Sequence, residues 1–478
     1  MSKKEQTTTV RPFGIRDQVG YLSGNLANDL TYTLASGFLM KFYTDVLSVD
    51  AYIVGIVMMV AQVVDAFTDV AMGQIVDRSE TGKHGKFKPW IRRIAGPITV
   101  CSFLMYAVWI QGAAMPIKIA WLFVSYILYT SVFYTAELIP YGSLASAISA
   151  EPNDRTILSN WRHIGGTLSL TFINVVAPLV VYYKNADGNE VFSGTRMAAL
   201  AACFSIIAFI FYMLCFHLTT ERVKFPKTES KFSLKEFGLD FLHNKSLIVI
   251  IVMILLQECS NSAFHGMSGY IFPNYFGSAA AQSLSGVLET VITLVIAAFI
   301  VFVVAKTGKK EITVFGALFA GIVFAVAFVL HTHSVVVWLV IYCLVTCGMS
   351  LYNPVAYALV TDVIDDEEVR TGKRSDGAIQ GIYSFSRKCG SAISSGVRGA
   401  MLSAVGYTAA TAYDTTVLNG IYNVSCLVPM CGFLIMALVV GIFYPLNKKR
   451  VAENVATLKA RRLEKEAAQE TSEETSEE

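Results

Sequence analysis

The sequence predicts an all-α membrane protein: twelve transmembrane helices in two pseudo-symmetric six-helix halves. Three observations predict it. Of 478 residues, 54% are hydrophobic and only 15% charged, where soluble domains carry about a quarter. Apolar runs of about 20 residues, the length that crosses a bilayer core, recur along the chain. Lysine and arginine gather in alternate connections between those runs.

The spans fall at 21–46, 52–76, 92–112, 118–145, 158–183, 196–218, 246–272, 281–305, 311–331, 334–361, 377–403 and 419–445. The third, sixth, ninth and twelfth are the most uniformly apolar and are expected to face lipid. The first, second, fourth, fifth, seventh, tenth and eleventh carry polar groups and are expected to face an interior. Of 38 lysines and arginines, thirty lie in the two tails and the even-numbered loops, and three (Lys118, Lys184 and Arg196) in the odd-numbered loops. Basic residues resist translocation, so the rich side is expected to be cytoplasmic, with both termini there. The longest internal hydrophilic segment, 219–245, divides the chain into halves 21–218 and 246–445, flanked by tails 1–20 and 446–478. The second tail begins basic and helix-compatible and turns Glu/Ser/Thr-rich, which reads as a short solvated helix before disorder.

Composition excludes other classes. A net charge of +2 gives no basic surface for nucleic acid. Cys101, Cys203, Cys215, Cys343 and Cys431 sit inside apolar runs and read as small hydrophobes rather than a disulfide framework. No Ser/His/Asp or Cys/His arrangement, metal-ligand cluster or phosphate-cradling loop emerges, so neither an enzyme nor a resident cofactor is expected.

A charge inside the bilayer is costly and marks function by default. Asp65 and Asp69 in span 2 are four residues apart, so their carboxylates share one helix face. Two close carboxylates resist joint ionisation unless a cation or a proton lies between them. The pair therefore suits Na⁺ or H⁺; the alternative is a structural pair held by basic partners. Asp29 in span 1, Thr135 and Glu137 in span 4 and Lys388 in span 11 fall at similar depth, between the midplane and the inner half. Lys41 and Arg162 lie where snorkelling toward the outer and inner surfaces is expected. Glu258, with Gln257 and Asn261, makes span 7 polar; it either lines a path or neutralises a basic residue across the bundle. Glu289, Arg387 and Arg398 are the remaining buried-looking charges.

Several blocks then resemble the glycoside–pentoside–hexuronide:cation symporters, the group that includes the melibiose permease. They are Gly24-Asn-Leu-Ala-Asn-Asp29, Phe42-Tyr-Thr-Asp45, Val64-Asp65-Ala-Phe-Thr-Asp69, Met72-Gly73, Asp77-Arg78, Gly85-Lys-Phe-Lys-Pro-Trp90, Tyr134-Thr135, Ile139-Pro-Tyr-Gly142, Asp362-Val-Ile-Asp365, Thr371-Gly-Lys-Arg374 and Arg387-Lys388-Cys-Gly390. Their order and spacing span nearly all of 14–445. The resemblance implies a major-facilitator fold with alternating access. By resemblance, Asp65 and Asp69 bind the coupling cation with Thr135, and would be the metal ligands if it is Na⁺. Asp29 and Arg162 hold sugar hydroxyls and Lys388 links the two sites, with Tyr32, Tyr134, Asn353 and Ser384 as further sugar-contacting candidates. Gly73, Asp77, Arg78, Asp362 and Arg374 are the gating candidates.

Three departures set the chain apart from the melibiose permease. Leu138 stands where that branch has a third span-4 carboxylate, and Gly142 and Asn353 stand where it has tryptophans. The implied partners are a small sugar or glycoside, a monovalent cation or proton, and the lipid bilayer, with no nucleic acid. The implied setting is a bacterial cytoplasmic membrane. Two alternatives stand beside this reading: a lysophospholipid-type symporter on the same fold, and a membrane sugar sensor that does not transport.

Overall fold

The computed structural model describes residues 11–82, 84–223, 244–372 and 376–461. Among them, twelve long helical segments follow one another as spans 1 to 12. They are Ile15–Asp45, Ala51–Arg78, Lys88–Leu104, a composite from Met115 to Ile148, Pro152–Val181, Gly194–Leu218, Lys245–Tyr270, Ala279–Thr307, Lys309–Leu330, Val335–Thr371, Asp376–Ala404 and Thr415–Phe443. Nine are long and apolar enough to cross a membrane. The other three are spans 1, 3 and 11. Spans 1 and 11 are diluted by polar residues such as Asp29 and Lys388, and span 3 has only 17 residues.

The chain divides into two compact units. The first comprises Met1–Lys231, Ser268–Val287 and Gly396–Leu418; the second comprises Phe232–Met267, Leu288–Ser395 and Asn419–Glu478. Segments from spans 7, 8 and 11 thus pack with the first six spans.

In the first unit, span 1 is enclosed by spans 5 and 6 and touched by span 4. Tyr141 of span 4 stacks on Tyr21 at 4.6 Å, and its hydroxyl donates to the Tyr21 carbonyl at 2.6 Å. Tyr212 of span 6 donates to Asn28 Oδ1 at 2.8 Å. Span 4 does not run as one α-helix. Between Ile127 and Thr135 it widens into a π-helical stretch, Leu128–Tyr134. There the Thr135 N–H reaches the Thr130 carbonyl five residues back. Such bulges commonly occur at functional positions because they re-aim the side chains that follow. A short hairpin, β1 (Tyr182–Lys184) and β2 (Glu190–Phe192), joins spans 5 and 6.

After span 6 the chain crosses back as a strap. Glu221 accepts from the backbone N–H groups of Lys86, Phe87 and Lys88 at 2.7, 2.9 and 2.7 Å. It thereby satisfies donors that the start of span 3 leaves open. Asp17, fully buried, holds the strap through Arg222 at 2.8 Å and the Thr220 N–H at 2.9 Å, and also pairs with Arg11 at 2.9 Å.

In the second unit, spans 9 and 10 approach at two glycines. A Cβ added at Gly316 would sit 2.6 Å from the Gly348 carbonyl, and one at Gly348 would sit 2.8 Å from the Gly316 carbonyl. Small residues permit this backbone contact in membrane bundles. At the end of span 10, Asp366 accepts from Ser246 and Asn454, each at 3.0 Å, and lies 3.6 Å from Arg450. Asn454 and Leu458 belong to a helix over 448–461 and are 8% and 5% exposed. The helix is exposed along most of its length, as expected of a short solvated helix, and its Asn454 and Leu458 face docks it at the carboxylates that end span 10. The acidic remainder lies outside the described residues.

Lys41 departs from expectation. It is 1% exposed and does not snorkel. Its ammonium donates to Asn274 and to the Tyr407 hydroxyl, lies 3.1 Å from Asp45, and sits 4.5 Å from the Tyr270 ring centroid. Tyr407 in turn donates to Asp45 at 2.7 Å. All five residues belong to the first unit. Apart from Asp45, the partners lie more than 200 positions away along the chain, so no local pattern announces the cluster.

Candidate functional site

Two polar centres occupy the middle of the first unit, each built from residues near the midpoint of its helix. Asp29 is the fifteenth residue of the 31 in span 1. Asp65 is the fifteenth of the 28 in span 2. Gly166 is the fifteenth of the 30 in span 5. At about 1.5 Å per residue, each of these residues lies about 20 Å from either end of its helix.

The first centre joins spans 2 and 4. The Thr135 hydroxyl lies 2.6 Å from Asp65 Oδ1, 3.0 Å from Asp69 Oδ1 and 3.2 Å from the Thr130 carbonyl. A hydroxyl has one proton to donate, so it cannot satisfy all three acceptors at once. The π-helical stretch places Thr135 here by offering the Thr130 carbonyl to both its N–H and its side chain. Two carboxylate oxygens around one hydroxyl form an oxygen-rich niche of the kind hard cations take. A proton shared between the acids would serve the same electrostatic purpose. The centre thus joins the three residues that the sequence grouped. Glu137, two positions on, is fully buried, and neither carboxyl oxygen has a hydrogen-bond partner among the described residues. Its electrostatic neighbours are Asn28 and, from the second centre, Arg162 and Asp29.

The second centre joins spans 1 and 5 around a cavity of ≈ 570 Å³. Span 1 contributes Asn25 and Asp29; span 5 contributes Ser159, Arg162, His163, Gly166, Thr167 and Leu170. That volume falls within the usual range for small-molecule sites, roughly 300–1,000 Å³. Asn25 donates to Asp29 Oδ2 at 2.6 Å, and Arg162 Nε donates to Asn25 Oδ1 at 3.3 Å. The Arg162 guanidinium also lies 5.5 Å from the Tyr141 ring centroid. This corrects the snorkelling expectation for Arg162, which points into the cavity. Tyr32 and Tyr134 stack at 5.1 Å, one turn beyond Asp29. The Asp29 carboxylate and the Arg162 guanidinium supply acceptors and paired donors to the cavity, and Tyr32 of the stacked pair lies one turn further along span 1. Ser159, His163, Gly166 and Thr167 went unremarked in the sequence, and Asn25 entered only as part of a motif. The available signal was helical spacing: the span-5 residues lie one, three, four, five and eight positions from Arg162, along one face.

The remaining sugar-contacting candidates lie in the second unit, as do Glu258, Glu289 and Arg387. Asn353, mid-helix in span 10, accepts from Gln257 and Asn261 at 3.0 Å each. Tyr352 donates to Asn261 at 2.8 Å. Glu258 pairs with Arg387 at 2.7 Å, so of its two expected roles it takes neutralisation of a basic residue. Ser384 is exposed, and Lys388 is half-buried on span 11. Glu289 accepts from Tyr342 at 2.6 Å and lies 3.6 Å from His265.

Among the gating candidates, Asp362 pairs with Lys309 at 2.6 Å. Asp77 and Arg78 are exposed at the end of span 2, and the Asp77 carbonyl accepts from Lys86 at 2.8 Å. Gly73 lies one turn earlier with open space beside it. Arg374 lies outside the described residues.

Comparison with known proteins agrees with this architecture. Residues 20–448 match the family described as MFS/sugar transport protein. The glucuronide carrier protein homolog of Escherichia coli (strain K12) is 29% identical over 451 residues, covering 94% of this chain and 96% of that one. The isoprimeverose transporter of Lactiplantibacillus pentosus is 28% identical, covering 90% of this chain and 89% of its own. Among solved structures, a D-xylose–proton symporter superposes with a TM-score of 0.66 at 14% identity over 90% of this chain and 97% of that one, a likeness of fold alone. The chain is a multi-pass membrane transporter of the MFS/sugar transport protein family.

Proposed function

We propose that this protein imports a sugar, glycoside, pentoside or hexuronide together with Na⁺ or H⁺, by alternating access across a bacterial cytoplasmic membrane, with both termini in the cytoplasm. The observation that carries cation coupling is the convergence of Asp65, Asp69 and the single Thr135 hydroxyl. Two unit charges 4 Å apart repel by roughly 4 kcal/mol at an effective dielectric of about 20. A bound cation or proton removes that repulsion, so the niche is stable when loaded.

The sugar reading rests on the Asp29–Arg162 cavity and on the stacked Tyr32/Tyr134 pair one turn beyond Asp29, with Asn353, Ser384 and Lys388 as candidates in the second unit. It is also supported by relatives whose names specify a glucuronide carrier and an isoprimeverose transporter. A cation that favours the sugar-binding state raises sugar affinity, and sugar raises cation affinity by the same factor. Gly73, Asp77, Arg78, Asp362 and Arg374 are the residues proposed to control passage between the two access states.

Purified protein in proteoliposomes tests the reading. Glycosides, pentosides and uronides are offered under an imposed Na⁺ or H⁺ gradient. Accumulation that follows one gradient and collapses with it supports symport. Binding without accumulation under either gradient would instead favour a sugar sensor.

A further inference from the structure

Asp29 and Arg162 carry opposite charges and line one cavity, yet among the described residues they form no direct ion pair. Asn25 stands between them. Its Nδ2 donates to Asp29 Oδ2 at 2.6 Å, and its Oδ1 accepts from Arg162 Nε at 3.3 Å. A carboxamide suits this place because it presents donors at one end and an acceptor at the other. The bridge uses one carboxylate oxygen and one guanidinium N–H. Asp29 Oδ1 has no hydrogen-bond partner among the described residues, and the two Nη groups of Arg162 lie outside the bridge.

The packing around the bridge is specific. Asn25 is 6% exposed and lies one turn before Asp29 on the same helix. Span 5 meets it with two consecutive glycines. A Cβ at Gly166 would fall 3.0 Å from Asp29 Oδ2 and 3.3 Å from Asn25 Nδ2. A Cβ at Gly165 would fall 3.3 Å from the Asn25 Cβ and 3.2 Å from the Leu22 carbonyl. The glycine pair thus leaves the amide and the carboxylate the space they occupy.

We infer that Asn25 is a positioning residue that holds Asp29 and Arg162 apart so that a pair of neighbouring sugar hydroxyls, rather than the opposite charge, fills the gap between them. The inference rests on the reading that Asp29 and Arg162 contact the sugar. Without the amide, carboxylate and guanidinium collapse into a bidentate pair, the arrangement their geometries favour. A sugar must then break that pair before it binds. A ligand that supplies both an acceptor and a donor on adjacent carbons matches the spaced arrangement; one lacking either hydroxyl leaves a charged group unanswered.

The test is sugar binding to purified full-length protein at fixed cation concentration. The ligands are the sugar that the wild type transports and its monodeoxy analogues. In the wild type, removing the hydroxyl that meets Asp29 or Arg162 is expected to weaken binding by at least about tenfold. In Asn25→Leu, the parent sugar binds about tenfold or more weakly, and the deoxy analogue binds nearly as well as the parent. A merely structural role for Asn25 would lower affinity for both ligands in proportion and leave their ratio unchanged. Gly166→Ala, which crowds Asp29 Oδ2 while keeping Asn25, is expected to reduce the same ratio and serves if Asn25→Leu does not fold. Wild-type affinity and ratio in both variants overturn the inference alone. A wild-type protein that binds no sugar overturns both the inference and the sugar reading beneath it.

Discussion

Replacing Lys41 by methionine gives a large effect that the structure makes calculable. The ammonium is 1% exposed, pairs with Asp45 at 3.1 Å, and donates to Tyr407 at 2.8 Å and to Asn274. Methionine keeps the length and the apolar stem and removes the charge. Asp45 retains the Tyr407 and Thr44 hydroxyls, at 2.7 and 2.9 Å, but loses its cation. Breaking a buried ion pair from one side costs about 3–5 kcal/mol. That cost falls only on the arrangement in which the end of span 1, the π-helical segment Ile271–Tyr275 that ends span 7 and the loop carrying Tyr407 lie together. In an alternating-access cycle the closed arrangement at this end therefore loses a factor of about 10² to a few times 10³ in population, at 1.4 kcal/mol per tenfold.

The assay uses Ala412→Cys, 2% exposed in the same loop, in a background from which reactive native cysteines have been removed. A membrane-impermeant maleimide is then added to cells. Labelling is expected to be slow with Lys41 present and much faster in the Lys41→Met variant. Lys41→Arg should lie between, because guanidinium keeps the charge but not the compact fit. Equal labelling rates with and without the Lys41→Met substitution, in proteins of equal abundance, would refute the reasoning that this cluster holds the end closed.

Four further outcomes are expected. Asp65→Asn and Asp69→Asn should each abolish gradient-driven accumulation while leaving sugar exchange or binding detectable. Thr135→Val, which removes the shared hydroxyl without changing shape, should weaken cation activation by about tenfold or more, as loss of a charge-assisted hydrogen bond worth about 1.5–3 kcal/mol implies. Asp29→Ala should remove sugar binding at any cation concentration, read by equilibrium binding. Glu221→Ala uncovers three backbone N–H donors at the start of span 3 and should lower stability by about 1–2 kcal/mol, visible in thermal unfolding, with cation selectivity unchanged.

What could be read from the sequence was whatever the bilayer makes expensive. Span number follows from length and hydropathy, and the Asp65–Asp69 pair follows from the cost of charge at depth. The grouping of Thr135 with those acids came through the symporter resemblance, and the structure brings the three together. What the sequence concealed depends on contacts between distant segments. Lys41 looked like a snorkelling residue because Asn274 and Tyr407 lie 233 and 366 positions away. Glu221 caps span 3 from more than 130 positions away. The widened Leu128–Tyr134 stretch carries no local signature, because its residues are ordinary helix and strand formers. Asn25 was hidden for a different reason: a neutral amide in a membrane helix attracts less notice than the two charges it separates.

The central claim is that Asp65, Asp69 and Thr135 form the coupling site for sugar transport. The most direct test is the sugar dissociation constant of the purified protein with and without saturating coupling cation, measured for the wild type and for Asp65→Asn. Tighter sugar binding in the presence of cation for the wild type, and no such response in Asp65→Asn, is the predicted result. A cation response of equal size in both proteins would contradict the account and place the coupling site elsewhere.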